Sequence, residues 1–119
     1  LDQGARSMIR VGQIWLATEP LDMRAGADTA LACVVKRFGK AHPHTAYIFL
    51  NKRANRMKVL VHDGFGVWLA ARRLHKGKFV QAIAWQSDKR LELTTEQLSA
   101  LVVGLPWHYV GKNQAIEIA

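Results

Sequence analysis

Eight lysines and arginines, Lys52, Arg53, Arg56, Lys58, Arg72, Arg73, Lys76 and Lys78, fall between Asn51 and Phe79, with Asp63 the one acid among them. Fixed cations at this density attract a polyanion, and nucleic acid is the commonest. The wider window from Lys36 to Lys78 holds eleven bases and one acid, a balance of +10. The rest of the chain holds six bases and eight acids, a balance of −2. The positive field is therefore local. The plain alternative is a basic face that only keeps the protein soluble. Arg24 adds a cation ahead of a predicted helix, where the macrodipole disfavours it unless Asp22 or a phosphate is its partner.

Catalytic patterns are scarce. There is no Gly-x-Ser-x-Gly elbow, no phosphate loop ending in Gly-Lys and no His-Glu-x-x-His. His42 and His44 flank Pro43 without Cys or carboxylate neighbours, which makes a poor metal site. Asp28, Asp63 and Glu96 invite comparison with a two-metal nuclease triad. Each has a simpler role, in a helix, in a tight turn and in the first turn of a helix, where an acid is favoured. No catalytic residue, metal or cofactor is expected, and the protein is read as a non-enzyme.

Two kinds of periodicity position these groups. "QIWLATEP" reads as a strand stopped by Pro20. Ala27, Ala30, Leu31, Val34, Val35 and Phe38 follow helical spacing, with Asp22 as an upstream cap, Lys36 and Arg37 in the last turn, and Gly39 as the stop. Because the helix has ended there, proline at Gly39 is expected to be mild. After the loop at Pro43 the period becomes two: "TAYIFL", "RMKVLVH" and "VWLAARRL" are strands, joined by the turns "NKRAN" and "DGFG". "KFVQAIAW" and "RLELT" are further strands. Thr94 and Gln97 have capping-box spacing ahead of a helix that buries Leu98, Leu101 and Val102 and ends by Gly104 and Pro106. The predicted fold is α+β: an antiparallel β-meander of about four to five strands, with one long N-terminal helix and a short C-terminal helix packed on it.

If Gly64 and Phe65 form the hairpin tip, Arg56 faces Arg73 and Met57 faces Arg72. Like charges facing across strands destabilise the pair unless an anion neutralises them. The eight cations from Lys52 to Lys78 would then form a basic ribbon, able to enter a major groove or to track phosphates. Trp15, Trp68, Trp85 and Trp107 could stack on bases, but core packing is their default role.

A chain of 119 residues is one domain. No apolar run nears the roughly 20 residues of a membrane span, and the start lacks a signal-peptide core. A cytoplasmic protein is expected, nucleoid-associated when bound. The lone Cys33 allows no internal disulfide. Residues 1–7 are set aside as a remnant or upstream extension, and the domain is placed at 8–107.

The order of "IWLATEPLDMRAGADTAL", "AYIFLNKRANRMKVLVHDGFGVWLAARRLHKGKF" and "LTTEQLSALVVGLPW" resembles the TnpB-type accessory proteins of the insertion sequence sixty-six family. The likeness runs from Val11 to Trp107. Its specific parts are the Asp-Met-Arg-x-Gly block, Asp22 to Gly26, and the block from Arg56 to Gly66, followed by Leu69, Arg73, Leu74, Gly77 and Phe79. The resemblance implies a bacterial transposition accessory factor, working beside a separate transposase that carries the catalytic carboxylates. It supplies no catalytic set. The basic face would bind element DNA, or else dock an acidic surface of that transposase. The tail, 108–119, departs from the pattern and receives no role.

Overall fold

The computed structural model describes residues 11–81 and 90–110. Its chain order is strand β1 (Gln13–Ala17), helix α1 (Ala27–Phe38), strands β2 (Thr45–Leu50), β3 (Arg56–His62), β4 (Val67–Arg73) and β5 (Arg90–Leu93), then helix α2 (Thr95–Leu101) and a 3-10 turn (Trp107–Tyr109). The five strands form one sheet in the order β4-β3-β2-β1-β5.

That sheet is mixed, which corrects the all-antiparallel meander. β1 runs parallel to β2, with Gln13 opposite Thr45 and Leu16 opposite Ile48. The other three pairs are antiparallel. Between β1 and β2 the chain must recross the sheet, and α1 is the crossover that a parallel pair requires. Hence α1 is neither N-terminal nor long. It covers 12 residues, about 18 Å.

Alternation along the strands makes two apolar faces. Trp15, Ala17, Tyr47, Phe49 and Leu60 face α1 and pack with Ala30 and Val34. Ile14, Leu16, Ile48, Met57 and Val61 form the opposite face, with Leu101, Phe79 and Trp107 against it. The helices thus lie on opposite sides of the sheet. Val35, expected within the α1 stripe, is exposed, and so is Trp68, expected in the core. Trp85 lies outside the described residues.

Local signals behave unevenly. Thr94 and Gln97 form both halves of the capping box on α2. At α1 the cap is Gly26, which has no side chain to offer a bond, and Asp22, expected as the upstream cap, bonds Arg24 instead. Gly39 does end α1, but its φ is +89 and its N–H donates to the Val35 carbonyl at 2.9 Å. Proline can supply neither the angle nor the proton, so the expected tolerance there is overturned. Of "KFVQAIAW", residues 78–81 are not strand and the remainder lies outside the described residues.

Candidate nucleic-acid interface

The turn "NKRAN" is built by its asparagines. Asn51 Oδ1 accepts the backbone N–H groups of Asn55 and Arg56, each at 3.0 Å, and Asn51 Nδ2 donates to Asn55 Oδ1 at 2.7 Å. With its polar groups used inward, the turn holds Lys52 and Arg53 in solvent. The segment after β4 returns to this turn. Leu74 N–H donates to Asn55 O at 3.2 Å, and Phe79 N–H to Ala54 O at 2.7 Å. Phe79 is buried, which carries Lys76 and Lys78 to the same end of the sheet.

An open groove of ≈ 540 Å³ lies between this turn and the loop following β1. Leu21, Asp22 and Met23 line one side, and Lys52, Arg53 and Arg56 the other. Leu21 N–H donates to Leu50 O at 2.9 Å and ties the two walls together. The groove sits at the carboxyl ends of the parallel strands β1 and β2, where ligands of α/β sheets commonly bind. The two sequence blocks starting at Asp22 and Arg56 therefore meet in space.

The nine candidate cations divide by what they touch. In the β3–β4 register Arg56 is directly opposite Arg73, and Met57 opposite Arg72. Arg56 and Arg73 share the α1 side of the sheet. One residue of alternation turns Arg72 to the other side, where its Nε donates to Val102 O at 2.7 Å at the C-terminus of α2. That carbonyl carries the negative end of the helix dipole. Lys58 is half-buried, and its Nζ donates to Ala25 O at 2.6 Å, just ahead of α1. Arg24 is held by Asp22 through Nη2 to Oδ2 at 2.8 Å, with Nε at 3.2 Å from both carboxylate oxygens. These bonds, with the Arg24 backbone N–H, lower the Asp22 carboxyl from 3.8 to about 2. The pair is the one ion pair among the described residues. Lys52, Arg53, Arg56, Arg73, Lys76 and Lys78 remain exposed at one end. The eight from Lys52 to Lys78 do not share one face of the sheet, because Arg72 lies on the other.

The hairpin tip is not cationic. Asp63 Oδ1 accepts the N–H groups of Phe65 and Gly66, each at 2.9 Å, and these bonds hold its carboxyl below the usual range. The seven-residue strands place the tip about 20 Å from Arg56 and Arg73. Asp63 is thus a turn-former, as expected. Among the described residues no three His, Cys, Asp or Glu side chains are grouped to hold a metal ion, and no helix is long and apolar enough to cross a membrane.

Sequence reading missed the convergence of the loop after β1, the asparagine turn and the Leu74–Phe79 segment. The asparagines at i and i+4 around Lys-Arg-Ala were the available signal.

A family pattern described as IS66 Orf2 like protein (TnpB) matches residues 12–112. Uncharacterized protein y4jC of Sinorhizobium fredii (strain NBRC 101917 / NGR234) is 33% identical over 103 residues, covering 85% of this chain and 86% of that protein. Protein y4hO of the same strain, also uncharacterized, is 32% identical over 101 residues, covering 82% and 84%. No solved structure matches the chain. On these matches the chain belongs to the IS66 Orf2-like family, proteins associated with the transposition of IS66 insertion sequences.

Proposed function

We propose that the protein is a non-catalytic accessory factor in transposition that grips DNA phosphates with the basic end of its sheet and works beside the element's transposase. The supporting observation is the gathering of Lys52, Arg53, Arg56, Arg73, Lys76 and Lys78 at one end of the sheet, the first three of them lining the groove, with no acidic partner for them among the described residues. An arginine pair facing across strands is a standing repulsion that a phosphate between the guanidiniums would relieve. Arg24 can join once a phosphate competes for its fork. Contacts of this kind position a duplex and carry little sequence information.

The test is a titration of labelled duplex at several salt concentrations. An Arg53→Gln, Arg56→Gln, Arg73→Gln triple variant should lose about three units of slope in log affinity against log salt, nearly alike on element-end and scrambled DNA. Arg72→Gln, on the other face, should leave the slope unchanged. Equal binding by parent and triple variant, or binding only after the transposase is added, would transfer the basic end to docking of an acidic protein. Metal-dependent nicking by the purified protein, lost in Asp63→Ala, would overturn the non-catalytic assignment.

A further inference from the structure

We infer that the protein pairs with a second copy of itself through an apolar groove on the α2 side of the sheet and the phenylalanine at the adjoining hairpin tip. This groove, ≈ 740 Å³, is lined by Val11, Ile14, Val59, Val61, Ala70 and Leu98 among others, and none of the described residues lining it is charged. It stays open because α2 has only seven residues, about 10 Å, and packs beside β5 at the far edge of the sheet. Trp68, paired across the strands with Val61, borders the groove and is 38% exposed. Three residues before it, Phe65 is fully exposed. Its position is imposed by the turn. Asp63 clamps the Phe65 and Gly66 N–H groups, and Gly64 takes a φ of +91 that few side chains tolerate.

A fully exposed Phe contributes nothing to its own fold, while an apolar knob beside an apolar socket makes a self-complementary surface. That is what a twofold interface requires, since each copy offers both halves. Charge selects a second copy over an acidic partner. The chain carries +8, so two copies repel wherever cations meet. From Val59 to Ala71 the only fixed charge is Asp63, and the basic end lies at the opposite end of the hairpin. An acidic protein would find its complement there.

The association state of the full chain tests this by sedimentation across the micromolar range at moderate and high salt. The parent should form a reversible dimer that persists at high salt, because an apolar contact is not screened. Phe65→Ser removes the knob and Ala70→Arg blocks the socket. Both positions are exposed, so thermal melting should change little, yet each variant should weaken dimerisation by at least about tenfold. An equal mixture of the two regains one knob–socket contact of two and should associate more tightly than either alone. A parent that stays monomeric, its groove covered by its own chain or kept for another protein, would overturn the proposal. So would a dimer unmoved by both variants, or one that dissociates in high salt.

Discussion

Arg56 and Arg73 are direct cross-strand partners at the open end of the β3–β4 hairpin, both exposed and both on the α1 side of the sheet. Two guanidiniums in that position oppose folding and favour an anion. The two effects separate experimentally. Arg73→Gln should raise stability slightly, by roughly 0.2–1 kcal/mol before salt screening, and should weaken DNA binding with about one unit less salt slope. Thermal melts and salt titrations on the same sample give both readings. A variant that melts lower and binds unchanged would contradict the pairing argument.

Lys58 belongs to the fold. Its ammonium bonds the Ala25 carbonyl and ties β3 to the entry of α1. Lys58→Met should keep the stem's packing but lose a charged hydrogen bond, costing about 1–3 kcal/mol. The salt slope of DNA binding should stay as in the parent. A reduced slope with unchanged melting would place Lys58 among the phosphate contacts instead.

Asp22 restrains Arg24. Because its folded pKa is depressed, the pair's contribution is complete above the ordinary value of 3.8 and is lost as pH falls through about 2. Carboxyl titration followed by NMR should show that low midpoint for Asp22. Asp22→Asn should free the Arg24 fork and tighten DNA binding with a steeper salt slope, since one more cation meets the phosphates. Weaker binding would mean that the carboxylate orients Arg24 for its ligand.

Two glycines test the backbone. Gly64→Val places a β-branched residue at φ +91 and should cost about 1–3 kcal/mol. Gly39→Pro should be at least as damaging, because it removes the N–H bond to Val35 and demands a forbidden angle. Chemical denaturation curves for both would decide. A Gly39→Pro protein as stable as the parent would show that α1 ends differently.

The Thr94 capping box predicts that Thr94→Ala loosens α2 by about 1 kcal/mol, visible as earlier unfolding. An unchanged midpoint would show that α2 rests on Leu101 and its packing alone.

Local grammar was readable in the residues themselves. The alternation of "TAYIFL" and "RMKVLVH", the Asp-Gly turn and the Thr94–Gln97 box are short-range signals, and their strands, turn and cap appear where they were expected. The Arg56–Arg73 register followed because a tight turn leaves a hairpin one pairing. Sheet order was different. Whether β2 joins β1 in parallel depends on where a helix recrosses the sheet, a relation between elements that no single window contains. Charge could be counted along the chain, but its partners could not. Lys58 meets a carbonyl 33 residues away and Arg72 one 30 residues away, so only folding separated structural cations from free ones. Trp68 likewise looks like a core residue in sequence. Exposure is decided by what arrives on the other side of the sheet, and a seven-residue helix beside β5 is too short to cover it.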